Sequence, residues 1–301
     1  MQSLRATFSF LFGPLYHPVL HRWRHRAEFR LHRQVLRESL AVMRRHRADF
    51  SSGGPPSGNR GRTAIQVHVF YTDLLPEFYG HLKGISAPYD LFVSTDTEGK
   101  KSFIEAFFRE HLLSGNPRIT VQVFENRGRD VYPFLAQLHG IYDGYEYAAH
   151  FHTKKSLHTD LGDYWRKSLL EILIGDGSAF DEAVAFLDAH PECGLLLPHI
   201  PKKRRGCYAV AKTDEWNDAA TGDCLSLFDV KPDAFRLRDY EFPIGTMFIA
   251  RTEAVRQVFA YSFSASDFPD EMGQVEHTLQ HALELVWHPV CGANGFDFAV
   301  M

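Results

Sequence analysis

From Thr63 onward the chain alternates short apolar, β-branched runs with amphipathic stretches, and this alternation restricts its possible folds more than any other feature. "TAIQVHVFYTD" (63–73) predicts a first strand and "LLPEFYGHLKGI" (74–85) the helix after it. "YDLFVSTD" with "GKKSFIEAFFREHLL" repeats the unit, as does "RITVQVFEN" with "VYPFLAQLHGIYDG". "YEYAAHFHTKKS" (145–156) predicts a fourth strand, "GDYWRKSLLEILIG" and "GSAFDEAVAFLDAHP" two further helices, and "CGLLLPHI" a short buried strand. Strands that are apolar along their whole length are covered on both faces, and intervening helices join them by crossovers. The expected class is therefore α/β, a mostly parallel sheet flanked by helices.

The first 62 residues read differently. They hold twelve arginines, no lysine and three acidic residues, a formal charge of +9 in a chain of net charge -4. The body is correspondingly acidic. Leu20, Trp23, Ala27, Leu31, Val35 and Leu36 recur at three- to four-residue steps between arginines, which predicts a basic amphipathic helix over about residues 19–48. Such a helix suits an anionic membrane surface or an acidic partner, and equally well its own domain or a second copy. "SSGGPPSGNRGR" (51–62) has linker composition, so the chain divides into a basic N-terminal helical arm, 1–62, and a domain, 63–301. An acidic body without a recognition motif argues against nucleic acid.

No apolar run reaches the ~18–20 residues that span a bilayer. "FSFLFGPLYHPVL" is broken by Pro14, His17 and Pro18, with arginine-rich sequence where a cleavage site would lie, which argues against a secretion signal. Four cysteines without CxxC spacing read as free thiols in a reducing compartment, so the expected location is cytoplasmic.

In open α/β sheets, ligands bind outside the carboxyl ends of the strands. That rule gathers Asp73, Asp96, the "ENRGRD" turn (125–130) and "HTKKS" (152–156) on one rim. Gly128 permits close backbone approach or a positive φ. Asn126 and Asp130 offer hydrogen bonds to hydroxyls, and Arg127 or Arg129 offers charge to phosphate; the plain alternative is a loop with solvated arginines. Side chains alternate along a strand, so His150 and His152 share one face and Ala149 and Phe151 the other. Lys154 and Lys155 follow at the exit, placed to reach a doubly charged pyrophosphate. One such contact at ~4 Å contributes at most ~4 kcal/mol before desolvation, at an effective dielectric of about 20. The alternative is a metal site of His150, His152 and a rim carboxylate, which the neighbouring ammonium groups disfavour by repelling a cation.

Taken in order, "FVSTD", "ENRGRDVYPFL", "HFHTKKSLH", "YWRKSLLEILIG", "FPIGTMFIAR" and "GQVEHTLQHALE" resemble the rhamnan synthesis F family of bacterial polysaccharide-assembly proteins, over roughly residues 64–297. The resemblance implies glycosyl transfer in building rhamnan, capsule or O-antigen chains. It also implies a Rossmann-like layout similar to nucleotide-diphospho-sugar transferases of the GT-A type. By that layout Asn126-Arg127-Gly128 matches an N-x-G turn, and His152-Thr153-Lys154 falls where Asp-x-Asp holds Mn²⁺ or Mg²⁺ against the donor diphosphate. The departure implies cationic side chains in the ion's place and no required metal cofactor, because the leaving group needs nearby positive charge whichever species carries it.

By the same comparison Glu276 in "QVEHTL" is the nearest positional match to the base that deprotonates the acceptor hydroxyl, with Glu271 and Asp270 as further candidates. Each of these acids has a plain alternative as a helix N-terminal charge. Gly245 and Thr246 border the implied sugar pocket or belong to a purely structural strand, and Arg166 contacts phosphate or its own helix surface. The implied partners are a nucleotide-sugar donor, a glycan or lipid-linked glycan acceptor and, through the arm, the anionic inner-membrane surface. A non-catalytic glycan- or nucleotide-binding module of a synthesis complex is the competing expectation. A metal-dependent hydrolase on His150 and His152 is a third.

Overall fold

A computed structural model of the protein describes residues 61–153, 162–199, 215–231, 242–273 and 278–301. The expected helix over 19–48 and most of the linker lie outside the described residues, as do Lys154, Lys155 and Glu276. Among the described residues one sheet forms from β1 (Thr63–His68), β2 (Tyr89–Thr95), β3 (Ile119–Val123), β4 (Tyr147–His152), β5 (Cys193–Leu197), β6 (Phe248–Arg251) and β7 (Asp297–Val300). Their order across the sheet is β3-β2-β1-β4-β6-β5-β7. β1 to β4 run parallel, β6 runs antiparallel to both its neighbours, and β5 pairs parallel with β7. This is the α/β, mostly parallel sheet that the strand–helix alternation predicts.

The helices between the first strands are α1 (Leu75–Leu82), α2 (Glu98–Glu110) and α3 (Val131–Leu138). α4 (Gly162–Leu173) and α5 (Ser178–Ala189) connect β4 to β5. α6 (Glu215–Leu225), α7 (Arg256–Ala260), α8 (Leu279–Leu283) and α9 (Trp287–Ala293) lie in the C-terminal third. Local signals set the starts of the first two helices: Pro76 sits in the first turn of α1, and Thr97 caps α2 by accepting from Lys100 N at 3.3 Å.

Every residue of β1, β2 and β4 is buried, because the sheet is covered on both faces. Ala64, Phe92 and Ala148 point into a core with Phe134, Phe248, Phe259 and Trp287. Ile65, Val67, Val93, Ala149 and Phe151 point the other way, onto Phe78, Ile104, Leu170 and Phe180. The chain steps outward from β1 to β2 and β3, then crosses back to β4 on the far side of β1. Right-handed crossovers therefore put α1 and α2 on one face and α3 on the other. The direction of winding reverses between β1 and β4, and at such a reversal the carboxyl ends of the strands open a crevice.

Some elements differ from the sequence reading. "FPIGTMFIARTEAV" reads as a strand entered through a Pro-Ile-Gly turn; the turn is present at Ile244–Thr246, but the strand is only Phe248–Arg251 and gives way to a second 3-10 turn at Thr252–Val255. Gly245 and Thr246 adopt φ 64° and 59°, a left-handed conformation that a strand cannot contain. α6, α9 and β7 have no counterpart in the sequence reading. No helix among the described residues is long and apolar enough to cross a membrane.

Candidate functional site

Beneath the crevice, the face of β1, β2 and β4 turned towards α3 is polar where the rest of the sheet is apolar. Register pairs Gln66 with His150, and His68 with Ser94 on one side and His152 on the other. Gln66 Nε2 donates to Ser94 Oγ at 2.8 Å and to Gln137 Oε1 of α3 at 3.0 Å. Both amide hydrogens are thereby engaged, so Gln66 Oε1 accepts from His150 Nδ1 at 2.7 Å. The other nitrogen of that ring, Nε2, stands 3.6 Å from Asp130 Oδ2. His68 Nδ1 lies 2.9 Å from Ser94 Oγ, and Gln137 Nε2 donates to the Val93 carbonyl at 3.1 Å.

All of these side chains are buried. Burial lowers the pKa of His68 to about 4 and also lowers that of His150, with Asp130 opposing the shift in each case. His150 further stacks on Phe134, ring centres 4.1 Å apart. His150 and His152 share a face as alternation requires, their ring centres 6.2 Å apart. Among the described residues no group of three or more His, Cys, Asp or Glu could hold a metal ion.

At the mouth of the crevice the loops after β1 and β4 are fastened together. Thr153 N donates to the His68 carbonyl at 3.0 Å, and Thr153 Oγ1 accepts from Tyr71 N at 3.1 Å. His152 Nε2 and the Gly245 carbonyl oxygen are 2.8 Å apart, and Gly245 N donates to the buried Glu284 carboxylate at 2.7 Å. Thr246 is buried beside them. Asp96 pairs with Lys100 at 2.6 Å, and the same ammonium lies 4.1 Å from the centre of the Phe70 ring. Asp73 is exposed in the 3-10 turn Thr72–Leu74.

The 125–130 turn forms the adjoining wall. Gly128 takes φ 61° and Arg129 φ 55°. A Cβ on Gly128 would lie 2.6 Å from Phe268 and 2.7 Å from Tyr132, so the glycine is required by conformation and by space alike. Arg127 pairs with Glu125 at 2.7 Å, donates to the Phe268 carbonyl at 3.0 Å and grips the Asp270 carboxylate. Arg129 Nε and Nη2 meet Glu271 Oε2 and Oε1 at 2.9 and 3.1 Å. Asn126 is exposed at the tip.

The structure thus brings His152, Thr153 and Gly245 together, joins Asp130 to them through His150, and sets Asp270 and Glu271 on the arginines of the turn. It does not bring Arg166 to that turn. Arg166 is 3% exposed and held by Glu77 of α1 at 3.1 Å and Asp163 at 2.8 Å. Burial alone would lower its pKa, but the two carboxylates outweigh that and raise it. Sequence reasoning passed over Gln66, His68, Ser94, Gln137 and Glu284. Polar residues at alternate positions of apolar strands, as in "IQVHV", are the signal for the first three. Glu284 has only its isolation within "LQHALELVW".

Residues 47–295 match the family of rhamnan synthesis protein F. Uncharacterized protein WxcX, from each of two strains of Xanthomonas campestris pv. campestris, is 30% identical over 223 residues, which is 73% of this chain and 30% of the relative. The chain therefore spans less than a third of the length of these curated relatives. With the strand–helix domain lying almost wholly inside the matched residues, the chain belongs to the rhamnan synthesis protein F family.

Proposed function

We propose that the protein is a glycosyltransferase that moves a sugar from a nucleotide-diphosphate donor to an O-antigen, capsule or rhamnan acceptor. The carrying observation is the reversal of winding between β1 and β4: the carboxyl ends of these strands stand over buried hydrogen-bonding side chains and beside the arginine turn, and Lys154 and Lys155 follow β4 directly in the chain. In this reading the diphosphate lies across the crevice mouth, opposed by Arg127, Arg129 and the two ammonium groups. Lys154 and Lys155 lie outside the described residues, so their part rests on sequence alone. Positive charge there stabilises the negative charge that grows on the departing diphosphate. Asn126 and Asp130 serve the sugar hydroxyls, and a carboxylate among Asp270, Glu271 and Glu276 takes the acceptor proton in a direct, inverting displacement.

His152 Nε2 held at the Gly245 carbonyl and Thr153 Oγ1 held by Tyr71 N support a grip without Mn²⁺ or Mg²⁺, because these groups already have partners where Asp-x-Asp would stand. The arm, +9 over 62 residues, would hold the protein peripherally at the anionic cytoplasmic face of the inner membrane, near a lipid-linked acceptor. Titration of nucleotide sugars followed by calorimetry and ³¹P NMR tests the reading. Binding should shift both phosphorus signals, survive EDTA and weaken about tenfold or more in Lys154→Ala or Lys155→Ala. No binding to any nucleotide diphosphate would sink it, and abolition by EDTA would overturn the metal-free form.

The pairing of Asp270 and Glu271 with arginines favours a second reading, a non-catalytic binding module. It predicts that Glu271→Gln and Glu276→Gln leave cellular glycan output intact, whereas the transferase reading predicts its loss.

A further inference from the structure

Two carboxylates occupy the arginines of the 125–130 turn. Glu271 meets Arg129 at two points, 2.9 and 3.1 Å, in the fork geometry that guanidinium equally makes with phosphate. Asp270 meets Arg127, and the backbones of these two residues form an antiparallel bridge. The pairs are only partly shielded: the Arg129 and Glu271 side chains are 20% and 23% exposed, and Asp270 is 74% exposed. A diphosphate brings more negative charge to the same fork than a single carboxylate does, which favours the exchange.

The loop's root does not depend on them. Phe268 is 1% exposed, lies over Gly128 and packs on Tyr132 and Phe263 at 5.4 and 5.9 Å between ring centres. Phe268 can therefore stay seated while the carboxylates beyond it move.

We propose that Asp270 and Glu271 are place-holders for phosphate: the donor's diphosphate takes the Arg129 fork, and the displaced Glu271 carboxylate becomes the acceptor's base. This rests on the transferase reading and adds an order to it, donor before acceptor, since the carboxylate is released only by the phosphate. In the step itself the acceptor O–H proton passes to Glu271 as its oxygen bonds the anomeric carbon. The bond from that carbon to the diphosphate oxygen breaks, and its electron pair leaves on the diphosphate.

The test is calorimetric titration of inorganic pyrophosphate, and of nucleotide sugars in parallel, into the full chain and its Glu271→Gln and Arg129→Gln variants. Glu271→Gln should bind pyrophosphate roughly fivefold more tightly, because a competing anion is gone. Arg129→Gln should bind it at least about tenfold more weakly. Unchanged or weaker pyrophosphate binding in Glu271→Gln overturns the exchange and leaves the pair a structural staple. Asp270→Asn, at a largely exposed position, gives the same direction of change and keeps the question answerable should Glu271→Gln fail to fold. Tightened pyrophosphate binding without any nucleotide-sugar binding supports the exchange and removes the transferase reading. Nucleotide-sugar binding that Glu271→Gln fails to tighten does the opposite.

Discussion

Gly128 joins the two loops of the crevice wall by having no side chain. Its φ of 61° and the 2.6 Å to Phe268 leave a methyl group nowhere to go, so Gly128→Ala should cost about 2–4 kcal/mol, read as a lower urea midpoint. An unchanged midpoint would contradict the packing. His68 makes a prediction of the opposite kind, about protons. Its pKa is about 4 in the folded protein against 6.5 for the free side chain, so the unfolded chain takes up the proton first as pH falls. The stability from neutral His68 is complete above pH 6.5 and is lost on the way down to about 4. Between pH 7 and 5 the loss is about 2 kcal/mol, with His150 adding in the same direction. Denaturant unfolding at the two pH values checks this: His68→Gln should flatten the dependence, and an equally steep variant would refute the assignment. That His150 and His152 share a face was legible, since alternation along a strand is local. Their partners were not, because Gln66, Ser94 and Gln137 come from other elements whose register no local pattern records.

Among the elements, the four parallel strands are fastened together at their amino ends. Asp90, at the start of β2, accepts from Arg62 ahead of β1 at 2.5 and 3.1 Å and from Arg118 N ahead of β3 at 2.9 Å. It also accepts from Tyr145 Oη ahead of β4 at 2.8 Å. Burial pushes the Asp90 carboxyl up, but Arg62, Tyr145 and the Arg118 amide hold it below the usual carboxylate range. Asp90→Ala leaves these donors without their shared acceptor. It should cost about 2–3 kcal/mol, discounted for the exposure of the arginines, and thermal unfolding within about a degree of wild type would refute the role. The parallel strands were readable because burial on both faces writes itself as an unbroken apolar run. β6 was only half readable, since strand direction leaves no local mark and the 3-10 turn Thr252–Val255 ends the strand early. β7 was not readable at all: a four-residue edge strand with exposed ends carries too little pattern.

At the scale of the whole molecule, charge divides the chain more sharply than fold does, with +9 on the first 62 residues and the compensating acid in the remainder. The full chain should bind vesicles of anionic phospholipid, and rising salt should release it as the Debye length shrinks. Equal binding by a chain lacking residues 1–60 would remove the arm from the account. The rim at the carboxyl ends of the strands was legible as a rule about sheets, but the side chains gathered there were legible only in part, because some of them arrive from residues 242–273.

That arrival has a consequence. β6 runs against β4, so it presents its entrance to the rim where its neighbours present their exits; Arg251, at its other end, is tied to Glu146 at 3.0 Å on the opposite edge. Under the proposed transferase activity, drift in which sugar is taken should therefore gather in the few positions just ahead of Phe248, while those after Arg251 stay silent on that choice.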